Sequence, residues 1–340
     1  MPLIVALTFL ALAAARADAP TATAGTQPPT SFATERGAAA ATLRFVTFNA
    51  YHGGFQSSWT GDARHIQERL AIAADQLRAL EPDVVALQEA SAGRRRGNIA
   101  AKLAETLGFH HVRAPASRRA VPLPFVNDLA AWILDFDEGP AILSRFPIVA
   151  SETFELPRCG AYLDPRVVLR AEVATPHGSL HVFSTHTSGL GCQVGRAADI
   201  VRTWRGALPA VLMGDLNAVE STPWIAALSD GGGFVDAFRF ANPAEPGVTT
   251  WQRIDGPTST ARRRIDYIFV LPGAATPGRV RESRVVLDRP ARRADGSPLW
   301  PSDHHGVLAD IALAPAVAER RSSHPGRGRL TNLEILQSGP

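Results

Sequence analysis

The chain has 340 residues, of which 45% are hydrophobic and 20% charged, ample material for one large domain or two smaller ones. Only two residues are cysteine, which excludes a structural zinc site built from a Cys/His cluster. The formal net charge is only +3, and nearly all of the cationic residues are arginine. A net charge this small does not by itself indicate a polyanionic partner.

The chain begins with the apolar run LIVALTFLALAAA, which is shorter than the roughly 20 residues that a membrane-spanning helix needs. Ala-Arg-Ala and Ala-Asp-Ala follow it, and both have the small-x-small pattern that signal peptidase cleaves. We therefore expect residues 1–19 to be a signal peptide and the protein to be exported, either to the periplasm or outside the cell. Residues 20–42 are rich in Pro, Thr and Ala and are predicted to be a flexible lead-in.

Helix and strand patterns alternate through residues 43–315, which we predict to be one folded domain, followed by a disordered tail at 316–340. Apolar residues at helical spacing predict helices at 66–80 and 99–108. Residues 167–188 are predicted to form a β-hairpin that turns at Pro-His-Gly. Hairpins are too frequent for a purely parallel sheet, so the pattern favours two packed sheets with helices outside.

Polar side chains suited to metal or proton chemistry stand at the ends or starts of six apolar strands. They are Asn49, the pair Gln88 and Glu89, His186, the pair Asp215 and Asn217, Asp266, and the pair Asp303 and His304. Alternate residues of an extended chain point the same way, so Asp215 and Asn217 can face one site. Each place alone has an ordinary explanation, such as a turn or a buried core histidine. Six in one chain predict a common site.

Seven motifs carry a resemblance to a known family. In chain order they are TFNAYHGG, DVVALQEA, GPAILSRFPI, FSTHTS, VLMGDLNA, RIDYIFV and PSDHHGV. Together they resemble the endonuclease/exonuclease/phosphatase superfamily, the deoxyribonuclease-I-like metal-dependent phosphoesterases, over residues 43–314. The resemblance implies a four-layered α/β/β/α sandwich of two packed mixed sheets, with the site at one end of the sheets. No G-x-S-x-G motif supports a serine hydrolase instead.

The resemblance implies a metal site formed by Asn49 and Glu89 with help from Asp303. Hard oxygen ligands of this kind suit Mg²⁺ or Mn²⁺. The expected cofactor is therefore one or two of these ions, and a bound ion would polarise the phosphoryl oxygens of the substrate.

The resemblance also implies roles for five catalytic residues. Asp215 orients or deprotonates the attacking water, and Asn217 hydrogen-bonds a phosphoryl oxygen. Asp266 and His304 form a carboxylate–histidine pair, in which the carboxylate favours the charged imidazole. His186 donates a hydrogen bond to the phosphate. The sequence leaves open which of these groups is the general base.

Three further residues are assigned by their motifs. Gln88 and Arg145 are expected to bind substrate and support the site rather than perform chemistry. His305 is the alternative to its neighbour in the carboxylate–histidine pair, but the Ser-Asp-His order favours His304.

The two cysteines flank the predicted hairpin. Cys159 precedes its first strand and Cys192 follows its second, so antiparallel pairing brings them to the same end of the ladder. An exported protein meets an oxidising compartment, so a disulfide is expected, with two free thiols as the alternative. The bridge would restrain the loop after His186.

The substrate is a phosphoester: nucleic acid, phospholipid or small molecule. A secreted nuclease and a sphingomyelinase-like phospholipid phosphodiesterase are alternatives, as is a catalytically inactive binding module on the same fold. The arginine clusters at 94–96, 118–119 and 262–264 favour a nuclease, but few aromatic residues lie near them in the sequence. Residues 121–139 are either an apolar insertion that contacts a membrane or a helix packed on the sheet. The protein is expected to be a monomer.

Overall fold

A computed structural model describes residues 42–51, 64–94, 97–119, 123–135, 137–160 and 164–313. The predicted signal peptide, nearly all of the lead-in and the tail lie outside the described residues. Sixteen strands are assigned. They are β1 (Thr42–Asn49), β2 (Val84–Gln88), β3 (Ala92–Gly93), β4 (Gly97–Asn98), β5 (His110–Arg113), β6 (Ala141–Ser144), β7 (Ile148–Glu155), β8 (Val167–Thr175), β9 (Gly178–His186), β10 (Ala210–Asp215), β11 (Val235–Asp236), β12 (Asp266–Leu271), β13 (Arg279–Val286), β14 (Ala291–Arg292), β15 (Pro298–Leu299) and β16 (Gly306–Ala312).

The described α-helices mostly begin and end where the sequence provides the cap. They are α1 (Ile66–Leu80), α2 (Ile99–Leu107), α3 (Pro124–Leu134), α4 (Gly191–Thr203), α5 (Pro223–Ser229) and α6 (Ala237–Ala241). The side chain of Asn98 caps α2 by accepting the Ala101 N–H, and Gly108 ends it in the left-handed conformation. Pro124 and Pro223 occupy the first turns of α3 and α5, where a missing N–H costs nothing. No helix in the described ranges is both long and apolar enough to cross a membrane.

Twelve of these strands form two six-stranded mixed sheets, and the other four form the two-stranded sheets β3-β4 and β14-β15. The first has the order β13-β16-β1-β2-β6-β5 and the second the order β11-β12-β10-β9-β8-β7. Each six-stranded sheet contains one parallel pair, β1 with β2 and β9 with β10, and its other pairs are antiparallel. Parallel strands end on the same side of a sheet, so each sheet gathers two carboxyl ends at one edge.

Three apolar clusters separate four layers of structure. Phe45 and Val84 of the first sheet pack with Val182 and Val211 of the second, between the sheets. The next residues along these strands point the other way: Val46 and Val85 meet α1 and α2, whereas Phe183 and Leu212 meet α4 and α5. Because both faces of the central strands are buried, β2 and β10 are apolar up to the residues at which they end. The α/β/β/α sandwich predicted from the sequence is confirmed.

Candidate active site

The strand registers bring the predicted polar residues to one edge. Asn49 pairs with Gln88 where β1 and β2 end, and Asp215 pairs with His186 where β10 and β9 end. Asp266 opens the antiparallel strand β12 directly opposite Asp215. The run Val-Leu-Met-Gly-Asp needs its glycine, because a Cβ at position 214 would lie 2.0 Å from the Thr185 carbonyl oxygen on β9.

Side-chain hydrogen bonds join the two sheets at this edge. The amide nitrogen of Asn49 donates to Glu89 Oε1 and to Asp215 Oδ2, at 3.1 Å each. The amide of Gln88, which is fully buried, donates to Ser184 Oγ at 3.3 Å. Asn49 and Gln88 therefore tie the first sheet to the second, and Gln88 lies beneath the site rather than at its surface.

Two of the site residues adopt the left-handed backbone conformation. Glu89 and Asn217 both have φ = 51° and both follow the end of a strand. This conformation costs a non-glycine residue about 1–2 kcal/mol, and asparagine tolerates it better than glutamate. The backbone thus turns sharply at two strand ends and presents both side chains at the edge, as strained residues at functional sites often do.

Asp215 lies at the centre of the site. Its Oδ1 accepts the backbone N–H of Asn217 at 2.8 Å. Burial, together with the charge of Asp266 across the strand pair, raises the pKa of Asp215 to about 7 despite the opposing charge of His304. A carboxyl group that titrates near neutral pH is suited to accept a proton from water.

His304 and Asp266 form the expected pair. Nδ1 of His304 lies 2.9 Å from Asp266 Oδ2, and both side chains are buried. Burial alone lowers the pKa of His304, but the charges of Asp266, Asp215 and Asp303 outweigh it and hold that pKa well above its ordinary value. His305 stacks on Trp300 instead, with ring centroids 5.5 Å apart, so the structure selects His304 from the two neighbours.

The pKa of His186 is shifted in the opposite direction to that of His304. Burial, the charge of Arg166 and the charge of His304 hold its pKa well below the ordinary value, so the ring is neutral. Asn217 Nδ2 lies 2.8 Å from the Thr187 carbonyl oxygen, which requires a donor, and 2.9 Å from Nε2 of His186. Nε2 therefore accepts, and the proton is on Nδ1, a buried atom with no hydrogen-bond partner among the described residues.

Ser302 holds Asp303 beside the Asp266–His304 pair. The Ser302 hydroxyl donates to the Asn49 carbonyl oxygen at 2.7 Å and accepts the His304 N–H at 3.1 Å. Burial, and then the charge of Glu89, raise the pKa of Asp303 to about 7 against the opposing charge of His304. The charge of Glu89 disfavours the ionised form of Asp303, and a cation beside these two carboxylates would offset that repulsion.

Two groups of side chains are candidates to hold a metal ion. Asp215, Asp266 and His304 each place one ligand atom within 4.8 Å of the others, and Asp266 Oδ1 is buried with no hydrogen-bond partner in the described chain. Nδ1 of His304 is already bonded to Asp266, however, and a protonated imidazole is not a ligand. Glu89 and Asp303 offer oxygen donors without that conflict, so these residues fit Mg²⁺ or Mn²⁺ better.

Sequence reasoning missed Arg69. This side chain is fully buried on α1 and donates to the carbonyl oxygens of Tyr51 at 2.9 Å, Arg64 at 3.0 Å and Pro301 at 3.5 Å. It thereby connects the segment after Asn49 with the segment before Asp303. A detectable signal existed, because the arginine lies at helical spacing among Ile66, Leu70 and Ala73, on the face that the helix buries.

A charged group beside His186 was also missed. Arg166 donates to Ser188 Oγ at 3.2 Å and forms an ion pair with Asp164 at 2.9 Å. Nearby, burial raises the pKa of Glu138 to about 7, and the charge of Glu89 adds to this effect while that of Arg166 opposes it. No motif marked these residues, because an arginine or glutamate in a loop usually lies in solvent.

The structure does not bring Arg145 to the site, so its predicted role in substrate binding is wrong. Ser144 pairs with Val84 at the start of β2, and Arg145 therefore lies at the opposite end of that strand from Gln88. Its guanidinium donates to the carbonyl oxygens of Glu81 and Pro82 at 3.3 and 3.1 Å. The antiparallel direction of β6 explains the error, because the end of this strand points away from the site.

Cys159 and Cys192 form a disulfide, as the predicted hairpin geometry indicated. Cys192 lies in the first turn of α4, which directly follows the loop after His186. The bridge therefore fixes the start of this helix to the segment that precedes β8.

An aromatic residue does lie among the basic side chains at 262–264. The ring of Trp251 is 54% exposed, and the guanidinium groups of Arg262 and Arg263 lie 5.8 and 5.7 Å from its centroid. A cavity of about 330 Å³ extends from Trp251 to Asp303. This arrangement was not predicted from the sequence, because the tryptophan lies eleven residues before the first arginine of the cluster.

The chain belongs to the endonuclease/exonuclease/phosphatase family. The sequence profile of that family matches residues 46–304, which include every residue placed at the edge described above. Members of the family are generally hydrolases that act on phosphoesters, typically with a divalent metal. No curated protein matches the chain significantly.

Solved structures with the same fold come from bacteria and an animal. A family protein from Bacteroides thetaiotaomicron is 18% identical with a TM-score of 0.59, and the match covers 81% of this chain and 99% of that one. A mannosyl-6-phosphatase from B. thetaiotaomicron VPI-5482 is 21% identical, with 79% and 99% covered and a TM-score of 0.58. Truncated TDP2 from Caenorhabditis elegans is 18% identical, with 80% and 97% covered and a TM-score of 0.56. At these identities the likeness concerns the fold alone.

Proposed function

We propose that the protein is a divalent-metal-dependent phosphoesterase that cleaves its substrate by in-line attack of water on phosphorus. The observation that carries this proposal is the convergence of Asn49, Glu89 and His304, which adjoin strands of one sheet, with Asp215 and Asp266 of the other. An inactive binding module would not need to keep a buried carboxylate–imidazole pair beside a second buried carboxylate, because burying such charges is costly.

Asp215 and His304 divide the proton chemistry between them. Asp215, whose pKa is about 7, takes a proton from the attacking water. His304, kept protonated by Asp266, faces the negative charge that develops on the phosphoryl group and stabilises it. The phosphorus–oxygen bond to the leaving group breaks as the new bond from water forms, and the leaving oxygen takes up a proton.

Asn217 and His186 position the phosphoryl group. On substrate binding the Asn217 amide turns away from Nε2 of His186 and donates to a phosphoryl oxygen. Nε2 of His186 then becomes free to bind substrate. His186 can then donate from Nε2 once its proton has moved from Nδ1, which is the role that the sequence assigned to it.

Glu89 and Asp303 would hold the divalent ion with Asn49. A bound ion supplies Lewis-acid polarisation of the phosphoryl oxygens and stabilises the leaving group. The repulsion that Glu89 exerts on Asp303 supports this assignment, because a cation held there would favour the ionised form of Asp303.

The experiment is turnover of bis-p-nitrophenyl phosphate, plasmid DNA, RNA, sphingomyelin and phosphoinositides by the full chain, with and without EDTA. We expect hydrolysis of at least one substrate, loss of it with EDTA, and recovery on addition of Mg²⁺ or Mn²⁺. Glu89→Gln should need far more Mg²⁺ for half-maximal rate, whereas Glu105→Gln, an exposed change on α2, should not. Full activity in EDTA would refute the metal requirement.

A nuclease is the second candidate, and Trp251 favours it. An exposed indole between two arginines, connected by a cavity to Asp303, can stack on a base while the cations meet phosphates. Trp251→Ala should then lower the rate on DNA or RNA about tenfold or more and leave that on bis-p-nitrophenyl phosphate unchanged. Equal effects on both substrates would contradict nucleic-acid specificity.

We also propose that the protein is exported. The signal-like N-terminal sequence and the Cys159–Cys192 disulfide support this, because disulfides persist in oxidising compartments. Determination of the N-terminal residue of the protein recovered from its native cells would test the proposal, with cleavage near residue 19 expected.

A further inference from the structure

Helix α3 has its apolar side chains turned outward. Phe125, Leu129, Trp132 and Ile133 are 68%, 54%, 59% and 64% exposed, and Leu123 at the N-cap is 51% exposed. Their positions follow the i, i+4, i+7, i+8 spacing of a single helix face. Among the described side chains of this helix, only the polar Asn127 is buried. The polarity is the reverse of that of an ordinary surface helix, so the alternative of a helix packed on the sheet does not describe α3.

No described α3 side chain belongs to any of the three apolar clusters that separate the layers. The helix is attached at its C-terminal end, where Asp135 accepts the backbone N–H of Arg94 at 2.5 Å and Asp137 pairs with Ala92. The same segment continues to Gly139, whose carbonyl oxygen accepts the N–H of Ala90, next to Glu89. The apolar face is therefore carried by the segment that borders the catalytic edge.

Arginines surround the apolar face. This arginine collar consists of Arg94, Arg118 and Arg119, whose side chains are 59%, 45% and 36% exposed. Arg94 stacks over the ring of Trp132, with its guanidinium carbon 4.8 Å from the centroid. The carboxylates Asp135 and Asp137, which pair with Arg94 and Arg118, are 14% and 5% exposed. Asp128 and Glu155, which pair with Arg118 and Arg119, are 63% and 53% exposed, so the outward excess of positive charge lies at Arg94.

We propose that α3 and the arginine collar form a face that docks on anionic phospholipid membranes. The apolar side chains enter the boundary between headgroups and acyl chains, while the arginines extend to the lipid phosphates, as in interfacial amphipathic helices. The docking proposal does not depend on the proposed function. Its consequence, that the protein prefers phosphoesters in lipid, does rest on the proposed function.

The test is co-flotation of the full chain with vesicles of phosphatidylcholine, with or without phosphatidylserine. We expect binding to vesicles that contain phosphatidylserine, weakening as salt is added. Phe125→Ser/Trp132→Ser should weaken it about tenfold or more, because two inserted aromatic side chains are lost. Phe240→Ser is the matched control, since this exposed aromatic lies on α6, and it should bind like the wild type. Arg94→Gln/Arg119→Gln should weaken binding only to the anionic vesicles, by about fivefold for each arginine.

Bis-p-nitrophenyl phosphate separates this proposal from the proposed function. Phe125→Ser/Trp132→Ser should hydrolyse that soluble substrate at the wild-type rate, which also shows that the variant is folded. Absence of vesicle binding by the wild type, or equal binding by this variant, would overturn the docking proposal whatever the activity. A dimer in sedimentation that Phe125→Ser/Trp132→Ser dissolves, without vesicle binding by the wild type, would assign the face to a second copy instead.

Discussion

Two buried histidines lie close to the same carboxylate, Asp215, yet His304 is protonated and His186 is neutral. Nε2 of His186 is 3.5 Å from Asp215 Oδ2, and Nε2 of His304 is 3.7 Å from the same oxygen. The shared carboxylate therefore cannot explain the difference in their pKa values. What differs is the neighbouring charge: Nδ1 of His304 meets Asp266, whereas the cation of Arg166 acts on His186, and burial lowers the pKa of both rings. Protonation at this edge is set by what lies behind each imidazole.

Removing the shared carboxylate tests the centre of this comparison and should have the largest effect. Asp215→Asn should lower kcat by about 10³-fold, because the proton acceptor for water is lost while the shape is kept. Asp199→Asn, an exposed change on α4, is the control and should be unaffected. Steady-state kinetics on bis-p-nitrophenyl phosphate give the answer, and a wild-type rate in Asp215→Asn would rule out its role as base.

Removing the partner behind His304 should have the next largest effect. In Asp266→Asn the pKa of His304 falls, so the protonated form is lost at a lower pH than in the wild type. We expect a loss of about 10²-fold near neutral pH and an alkaline limb of the rate profile that moves to lower pH. NMR titration of the His304 imidazole measures the shift directly. An unmoved alkaline limb would show that His304 does not act as the charged form.

Changing the neutral histidine should do less. His186→Asn removes a ring that carries no charge and leaves Asp266 and His304 in place. A loss of about tenfold is expected, below the usual range for an acid–base group, with no displacement of the alkaline limb. If His186→Asn moved that limb as far as Asp266→Asn does, the contrast between the two histidines would be wrong.

The smallest predicted effect is on thermal stability in the absence of a divalent metal ion. The pKa values of Asp215 and Asp303 are raised to about 7, from about 3.9 in an unfolded chain. At pH values between about 4 and about 7 the folded state therefore binds more protons than the unfolded state. Their contribution to stability is therefore present at low pH and is lost as pH rises from about 4 to about 7. In EDTA, Tm at the upper end of this window should be at least about 4 °C below that at pH 5, and Mg²⁺ should restore it.

Asp215→Asn is the control for that measurement, because it removes one of the two titrating carboxyl groups. Its Tm should change less with pH than that of the wild type. A wild-type Tm that rises over the same pH window in EDTA would contradict the raised pKa values.

The sequence predicted the sandwich and the catalytic edge because both follow from local rules. Parallel strands share the direction in which they end, so polar residues placed after the runs that became β1, β2, β9 and β10 had to meet. The motif spacing then identified the family. Arg145 shows the limit of the rule: it also follows an apolar strand, but β6 runs antiparallel, and strand direction is a property of topology.

Other residues depended on contacts that no local pattern encodes. Arg69 lies on the buried face of α1 and could have been found from helical spacing, but its partners are backbone carbonyls from distant loops. The outward turn of α3 could not be read from its sequence, because an apolar stripe looks the same whether it faces a core or solvent. Arg166 acts on His186 through charge at a distance, which leaves no mark in a motif.

The position of Ser302, Asp303 and His304 just before β16 has a consequence for biosynthesis. Asn49 ends β1, the strand that pairs with β16, and its hydroxyl partner Ser302 lies just before β16. This hydrogen bond can therefore form only after almost all of the folded part has been synthesised. A nascent chain still threading through the ribosome or a translocation channel would have Glu89, Asp215 and Asp266, but neither Asp303 nor the imidazolium of His304. The hydrolysis that we propose could then begin only once β16 has closed the sheet.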